Sequence, residues 1–176
     1  SILMSHVSHH VPGVEFSTGS LGHGLPFGVG KALISKKTNK KWRTYVLMSD
    51  GELGEGSNWE ALLFASHHKL DNLLAIVDYN KLQSFGSTED TLSLEPLEMK
   101  FRSFGWEVRI IDGHNCEELY DSMSTTPWVK KRPSIIIAKT TKGKGVSFME
   151  NSVDWHYRSP SKEQLKKALI EISKKK

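Results

Sequence analysis

The stretch that decides the fold is Thr44-Tyr-Val-Leu-Met-Ser-Asp50-Gly-Glu-Leu-Gly-Glu-Gly56, followed by a helical pattern and then Leu74-Ala-Ile-Val-Asp-Tyr-Asn80-Lys-Leu82. Residues 45–48 and 73–77 are short apolar runs without proline, which are typical of buried strands. Between them, an apolar stripe predicts a helix over 58–70, and it consists of Trp59, Leu62, Leu63, Ser66 and Leu70. Asp50 and Asn80 are about 30 residues apart, which is the length of one β-α-β crossover.

Asp50 and Asn80 are therefore expected at the carboxyl ends of neighbouring parallel strands, where open α/β sheets bind ligands. Mg²⁺ takes six oxygen ligands and shares them with substrate phosphates and water. The Asp50 carboxylate, the Asn80 side-chain carbonyl and the Leu82 main-chain carbonyl could supply three of them. Gly51 allows the backbone to turn sharply beside a phosphate. Either polar residue alone is also an ordinary turn residue, so the spacing by itself leaves a turn and a metal–diphosphate site both open.

The order of the other elements predicts an α/β fold, a parallel twisted sheet with helices on both faces. Further helices are predicted over 21–35, 95–104 and 116–125, and further strands over 106–111 and 134–138. The run Ser134-Ile-Ile-Ile-Ala138 fits a strand that is covered on both faces. A terminal helix begins with the capping-box pattern of Ser161 and Gln164. Its apolar stripe predicts that it packs on the domain, and the stripe consists of Leu165, Ala168, Leu169 and Ile172.

Length and composition predict a single domain over residues 1–176. No apolar run approaches 18 residues, so no membrane span and no membrane partner are expected. No secretory leader pattern is present. The single cysteine, Cys116, fits a reducing compartment, so a cytoplasmic location is expected.

The formal net charge is +4. Much of it lies in short clusters, which are Lys36-Lys37, Lys40-Lys41, Lys130-Lys131-Arg132 and Lys174-Lys175-Lys176. No nucleic-acid-binding motif accompanies these clusters, so no nucleic-acid partner is expected. We interpret them as solvated surface that modestly favours anionic sugar phosphates.

The motifs resemble those of the transketolase family, in particular the N-terminal subunit of transketolases that are split into two chains. The resemblance is carried by Asp50-Gly-Glu-Leu-Gly-Glu-Gly56, His67-His-Lys-Leu-Asp-Asn-Leu73, Asp78-Tyr-Asn-Lys-Leu82 and Pro12-Gly-Val-Glu-Phe-Ser-Thr-Gly-Ser-Leu-Gly-His-Gly24, and further on by Asp112-Gly-His114, Lys139-Thr-Thr-Lys-Gly-Lys-Gly-Val146 and Trp155-His-Tyr-Arg-Ser-Pro160. These matches follow the family order along nearly the whole chain.

The resemblance implies a thiamine diphosphate-binding fold and a set of residue roles. Asp50, Asn80 and the Leu82 carbonyl would hold Mg²⁺, with Ca²⁺ or Mn²⁺ as substitutes, and Gly51 would contact the diphosphate. The segment Gly19, Ser20 and Leu21 would line the thiazolium ring.

Three further residues are assigned by the same resemblance. Glu55 would belong to the acidic network that links paired active sites, while His6 and His156 would contact substrate or cofactor. The family usually has glycine where this chain has Ser49, and proline where it has Val7.

The implied reaction is the transfer of a two-carbon ketol unit from a ketose phosphate to an aldose phosphate. In this family, the glutamate that activates the cofactor belongs to a pyrimidine-binding domain, and nothing in this sequence corresponds to that domain. The active unit is therefore expected to need either a partner chain or a missing C-terminal portion. The expected partner is a transketolase C-terminal subunit, in a heterotetramer or a dimer of halves. The sequence starts shortly before the Pro12 motif, without the segment that precedes this motif in the family, so we expect either a fragment or a naturally short form with altered or no transketolase activity.

Two alternatives remain open at this point. The first is a non-catalytic module that retains affinity for Mg²⁺–diphosphate or for a partner, or only a remnant phosphate-binding site. The second is half of another thiamine diphosphate enzyme, such as a deoxyxylulose-phosphate synthase or a 2-oxo-acid dehydrogenase component. The Trp155-His156 segment and the His67-His68 pair favour transketolase over these enzymes.

Overall fold

The structure, a computed structural model, describes residues 6–174. The strands are β1 Thr44–Ser49, β2 Leu73–Tyr79, β3 Leu82–Gln83, β4 Gly86–Ser87, β5 Glu107–Asp112 and β6 Ser134–Lys139. The helices are α1 Gly24–Lys37, α2 Gly56–His67, α3 Thr88–Thr91, α4 Leu97–Ser103, α5 Cys116–Ser124 and α6 Lys162–Ser173, with 3-10 turns at Gly51–Gly54 and Val153–Trp155. Every predicted helix and strand is present with small shifts at its ends, while β3, β4 and α3 were not predicted.

The main sheet has the strand order β1-β2-β6-β5, and all three pairings are parallel. Ser49 lies beside Asp78, and Tyr79 lies beside Lys139. Asp112 in turn lies beside Lys139. The carboxyl ends of all four strands therefore meet along one edge of the sheet. β3 and β4 form a separate antiparallel hairpin.

The larger core lies on the sheet face that packs against α1, α2 and α4. Trp106 is buried, and its indole N–H donates to the Leu62 carbonyl at 3.0 Å. Phe101 is fully buried beside it. Burying a side chain of this size contributes about 1.5–3 kcal/mol, so these aromatic residues anchor α4 and β5 to α2.

A smaller core on the opposite face lies beneath α5. Leu74, Ile136 and Ala138 contribute strand side chains, and Leu119 of α5 packs against them. Helices thus cover both faces of the sheet, as the sequence predicted.

β1 is an edge strand that is buried on one face only. Val46 and Met48 point into the larger core, whereas Tyr45 is 42% exposed and Leu47 is 71% exposed. The prediction of a strand buried throughout is therefore wrong for β1. The physical reason is that the described residues leave the opposite face of the sheet open at this strand.

α6 begins as predicted but packs differently. Its capping box is present, since the Ser161 hydroxyl accepts from the Gln164 N–H and the Gln164 side chain accepts from the Ser161 N–H. Only Ala168 of the apolar stripe is buried, and Leu165, Leu169 and Ile172 are exposed. The prediction that the stripe packs on the domain is therefore wrong. Polar contacts hold the helix instead, because Ser147 donates twice to the Glu171 carboxylate, at 2.6 and 2.8 Å.

Part of the predicted basic charge and the single cysteine lie on the surface, while Lys175 and Lys176 lie outside the described residues. Lys40, Lys41 and the 130–132 cluster are exposed, as expected of solvated surface. Cys116 is exposed and unpaired at the start of α5. Across residues 6–174, no helix is both long and apolar enough to span a membrane.

Helix α1 approaches β1 most closely at Gly28. A Cβ at Gly28 would lie 2.3 Å from Val46 Cγ2, whereas one at Gly30 of the same helix would meet nothing within 4 Å. We expect Gly28→Ala to lower the free energy of unfolding by about 1–3 kcal/mol through overpacking. We expect Gly30→Ala to raise it by about 0.5–1 kcal/mol, since alanine is the better helix former. Urea denaturation measures both changes.

The double variant Gly28→Ala/Val46→Ala supplies the control. Because it removes the methyl group that the new Cβ would strike, it should lose less stability than the sum of the two single variants. Equal effects of the Gly28 and Gly30 substitutions would contradict this packing of α1 on β1.

Candidate functional site

The strand ends are joined by main-chain hydrogen bonds that continue the sheet beyond its last residues. The Asp50 N–H donates to the Asp78 carbonyl at 3.2 Å, and the Thr140 N–H donates to the Tyr79 carbonyl at 3.2 Å. On the far side of β6, the Gly113 N–H donates to the Lys139 carbonyl at 2.8 Å. The loops after β1, β2, β5 and β6 are thereby lined up, which places Asp50 beside the loop that carries Asn80, as the sequence predicted.

Asp50 lies at the centre of this edge and has no exposed surface. Its Oδ1 accepts from the Gly51 N–H at 2.7 Å, which caps the 3-10 turn. Its Oδ2 accepts from the Lys81 N–H at 2.5 Å. Lys81 adopts a φ of 64°, in the left-handed region. The loop after β2 therefore turns back over the carboxylate and presents its N–H groups to it.

Burial raises the pKa of Asp50 above its ordinary value, and the hydrogen bonds from Lys81 and Gly51 oppose that rise. The negative charge of Asp78 adds to the increase. A buried carboxylate of this kind gains from a nearby cation, which offsets the unfavourable burial of its charge. Protons should compete with that cation at a higher pH than they do for an ordinary aspartate.

Asp78 fixes the orientation of the Asn80 amide. Asn80 Nδ2 donates to Asp78 Oδ1 at 3.3 Å, while Asn80 Oδ1 accepts from the Leu82 N–H at 2.9 Å. The same Asp78 oxygen accepts a short hydrogen bond from the Thr140 hydroxyl. Because the amide nitrogen is held by Asp78, the amide oxygen remains on the side of the 80–82 loop.

Further hydrogen bonds connect the end of β2 to the segment before α4. The Tyr79 hydroxyl makes a short hydrogen bond to the Glu95 carboxylate, whose other oxygen accepts from the Leu97 N–H at 2.9 Å. Burial, together with the hydrogen bond and charge of Glu95, raises the pKa of Tyr79. Tyr79 is therefore a protonated donor at neutral pH, and it anchors β2 directly before Asn80.

The hairpin after Asn80 packs against the turn after Asp50. A Cβ at Gly51 would lie 2.8 Å from Gln83 Cβ, so this close approach requires glycine. Phe85 at the hairpin tip is 87% exposed. The hairpin was not predicted, because its strands are only two residues long and carry no apolar alternation.

The departure at Ser49 has a structural role. The Ser49 hydroxyl accepts from the Glu52 N–H at 3.1 Å. This bond satisfies one donor of the 3-10 turn for which a glycine has no side-chain acceptor. The serine therefore supports the turn after β1.

The glycine-rich segment lies next to the turn after β1. Gly19, Ser20 and Leu21 are exposed, while the following Gly22 is buried. A Cβ at Gly19 would lie 3.0 Å from the His6 ring, so His6 rests directly over this segment. The structure thus brings the predicted substrate-contacting His6 next to the segment that the family resemblance assigned to the cofactor.

Glu55 and His156 are both exposed, but they occupy different surroundings. Glu55 is the cap residue of α2, and it lies beside the glycine-rich segment, because a Cβ at Gly22 would be 2.7 Å from Glu55 Cβ. Partial burial, followed by the charge of Lys142, lowers the pKa of His156. Within residues 6–174, no hydrogen bond joins His156 to Asp50 or Asn80.

The donor set fits a hard cation. The Asp50 carboxylate, the Asn80 amide oxygen and the Leu82 carbonyl are all oxygen ligands of the kind that Mg²⁺ takes. A carboxylate has about four lone-pair positions, so the N–H groups on Asp50 do not exhaust it. In the described part of the chain, no group of three or more histidine, cysteine, aspartate or glutamate side chains is placed to hold a metal. A cation here would depend on the amide and main-chain oxygens as well as on the aspartate.

Sequence reasoning missed the residues that orient the site. Asp78 was only part of a motif, and Thr140 is 62 residues away from it. Their contact arises because β6 pairs with β2, which local sequence does not encode. The contact between Glu52 and Gly22 was also missed, because it joins two parts of the chain that are distant in sequence.

The fold and the polar groups at its carboxyl edge define a ligand-binding α/β domain with the buried Asp50 carboxylate at the centre of that edge. A family model described as "Transketolase, thiamine diphosphate binding domain" matches residues 5–172. The chain therefore belongs to the transketolase family and has the fold of its thiamine diphosphate-binding domain.

Relatives and solved structures agree with this assignment. The chain is 45% identical over 175 residues to an apulose-4-phosphate transketolase subunit of Phocaeicola vulgatus, covering 99% of this chain and 62% of that protein. It is 40% identical to a 6-deoxy-6-sulfo-D-fructose transketolase subunit of a Clostridium species, covering 99% of this chain and 64% of that protein. The chain thus spans less than two thirds of the length of these relatives.

The structure superimposes on that of transketolase from Campylobacter jejuni with a TM-score of 0.83 and 35% identity. This match covers 92% of this chain and 26% of the other. The corresponding values for a Pichia stipitis transketolase in complex with sedoheptulose 7-phosphate are 0.85 and 28%, covering 93% and 26%.

Removing the hydroxyl of Thr140 tests how strongly Asp78 is held. We expect Thr140→Val to lower the free energy of unfolding by about 1.5 kcal/mol, the lower end for a hydrogen bond to a charged group, because Asp78 is partly exposed. Thr141→Val is the matched control, since Thr141 contributes its main-chain N–H, which donates to His114 Nε2 at 2.8 Å. Its change should stay within about 0.5 kcal/mol. Equal losses in urea denaturation would contradict the role of the Asp78–Thr140 bond.

Proposed function

We propose that this chain is the thiamine diphosphate- and Mg²⁺-binding half of a two-chain transketolase. With a partner chain that carries the pyrimidine-binding domain, it would transfer a two-carbon ketol unit from a ketose phosphate to an aldose phosphate. The observation that carries the proposal is the 80–82 loop folded over the buried Asp50 carboxylate. This geometry supports an ion–diphosphate site more than an ordinary turn, because an aspartate in an ordinary turn is rarely fully buried.

Each residue of the site has a distinct role in this proposal. Asp50, Asn80 and the Leu82 carbonyl hold the cation, and Ca²⁺ or Mn²⁺ can replace Mg²⁺. Gly51 offers its backbone to the diphosphate at a turn where the packing of Gln83 leaves no room for a side chain. These residues bind and orient the cofactor without taking part in bond breaking.

Thiamine diphosphate supplies the electron sink for carbon–carbon cleavage when it is bound. Gly19, Ser20 and Leu21 would line its thiazolium ring, and His6 lies over Gly19. The lowered pKa keeps His156 neutral at pH 7, so it can exchange a hydrogen bond with a sugar hydroxyl without adding a charge. Glu55, exposed beside the glycine-rich segment, would belong to the acidic network that links paired active sites.

Residues 1–176 act as one diphosphate-binding domain in this scheme, and the pyrimidine-binding domain comes from another polypeptide. The names of the relatives support this division, since the proteins from Phocaeicola vulgatus and Actinobacillus succinogenes are each named as one subunit of a transketolase. The assembly would be a heterotetramer or a dimer of halves. Its substrates belong to the class of sugar phosphates and related acidic sugars.

Cofactor binding tests the metal site directly. We expect Asp50→Ala to abolish Mg²⁺-dependent binding of thiamine diphosphate, because the only carboxylate among the three proposed ligands is lost. Calorimetric titration of the full chain, with Mg²⁺ and with chelator, measures this. Asp121→Ala on the exposed surface of α5 is the matched control and should bind like the wild type. Retained metal-dependent binding by the Asp50 variant would refute the assignment.

Turnover tests the transferase activity. The chain, mixed with a candidate pyrimidine-domain subunit, thiamine diphosphate and Mg²⁺, should convert ketose phosphates such as xylulose 5-phosphate in the presence of ribose 5-phosphate. The chain alone should give no product. Cofactor binding by a well-folded complex without turnover on any ketose phosphate would instead select the non-catalytic module.

A further inference from the structure

Gly22 is held on both sides by side chains of the segment that follows β1. Its N–H donates to Glu52 Oε1 at 2.9 Å, and its carbonyl accepts from the Ser57 hydroxyl at 2.6 Å. Gly22 is buried, whereas residues 19–21 directly before it are exposed. Gly22 is therefore the anchor point of an otherwise exposed loop.

The main chain of Glu52 is itself held by two side-chain hydrogen bonds. Its main-chain N–H donates to the Ser49 hydroxyl at 3.1 Å, and its carbonyl accepts from Asn58 Nδ2 at 2.6 Å. Only 8% of Glu52 is exposed. Burying a carboxylate is unfavourable unless hydrogen bonds compensate it. The hydrogen bond that the structure describes for the Glu52 carboxylate comes from the Gly22 N–H of a distant loop, which indicates a specific role for this glutamate.

Little space surrounds Gly22. Its φ of 79° favours glycine, and a Cβ would lie 2.5 Å from the Ser57 hydroxyl and 2.7 Å from Glu55 Cβ. The loop backbone thus touches the start of α2 directly. The same turn that carries Glu52 begins at Asp50.

We propose that Glu52 is a positioning residue that, together with Ser57, fixes the glycine-rich loop at a set distance from Asp50. This inference rests on the proposed function, in which residues 19–21 contact the ring of the cofactor and Asp50 holds its diphosphate through the cation. Two loops that grip different parts of one ligand must keep a matching separation. A loop that is already in place binds without the entropic cost of ordering it.

The role predicts a particular pattern among three variants. Glu52→Ala removes the acceptor for the Gly22 N–H, whereas Glu52→Gln retains an oxygen that can accept the same hydrogen bond. Ser57→Ala removes the other half of the clamp. Glu60→Ala is the matched control, because Glu60 is exposed on α2.

The first measurement needs no ligand. Amide hydrogen exchange of the full chain should show at least tenfold faster exchange over residues 18–24 in Glu52→Ala and Ser57→Ala. Glu52→Gln and Glu60→Ala should match the wild type. A change spread over the whole chain in Glu52→Ala, or no change over 18–24, would overturn the proposal, since the first indicates a merely structural role and the second indicates no clamp.

The second measurement is the dissociation constant of thiamine diphosphate in the presence of Mg²⁺, by calorimetry on the full chain. Glu52→Ala should weaken binding tenfold or more, and Glu52→Gln should stay within threefold of the wild type. Wild-type affinity in Glu52→Ala would overturn the positioning role and leave the proposed function standing. Failure of the wild type to bind thiamine diphosphate would overturn the proposed function, and the positioning role with it.

If Glu52→Ala does not fold, Ser57→Ala and Glu52→Gln carry the test. Ser57→Ala must then show both the faster exchange over 18–24 and the weaker binding, while Glu52→Gln shows neither. Wild-type behaviour of Ser57→Ala in both measurements would overturn the proposal.

Discussion

The hydrogen bond from the Lys81 N–H to the buried Asp50 carboxylate is the interaction on which the site depends. It joins the loop after β2 to the loop after β1, and it brings the Asn80 amide and the Leu82 carbonyl to the same place. Left alone, a fully buried carboxylate is unfavourable, and the raised pKa of Asp50 reflects this. A cation bound to Asp50 would offset the unfavourable burial of its charge. Cation binding should therefore also stabilise the carboxyl edge of the sheet.

The rest of the fold serves to hold this edge in register. The parallel pairing of β2 with β6 places Thr140 against Asp78, and Asp78 in turn sets the Asn80 amide. The hydrogen bond between Tyr79 and Glu95 also holds the end of β2 to the segment before α4. The larger core beneath α1, α2 and α4 keeps the strands in place. The positions of the site residues therefore depend on this packing as well as on their own hydrogen bonds.

Much of this could be predicted from the sequence because its signals are local. Apolar runs marked the four strands of the sheet, the helical stripe marked α2, and the spacing of Asp50 and Asn80 placed them on neighbouring strand ends. The contacts of Asp78 with Thr140 and of Glu52 with Gly22 could not be predicted, since each joins residues 30 or more positions apart that only the tertiary fold brings together. Burial was also misjudged at Leu47 and along α6, because an apolar pattern does not reveal whether another element covers it.

The most direct test of the account is a crystal structure of the full chain grown with thiamine diphosphate and Mn²⁺, with the cation located by its anomalous scattering. The proposed cation site predicts a single peak about 2 Å from the Asp50 carboxylate, Asn80 Oδ1 and the Leu82 carbonyl, next to the diphosphate. A bound cofactor with the manganese peak elsewhere, or with no cation touching Asp50, would contradict it.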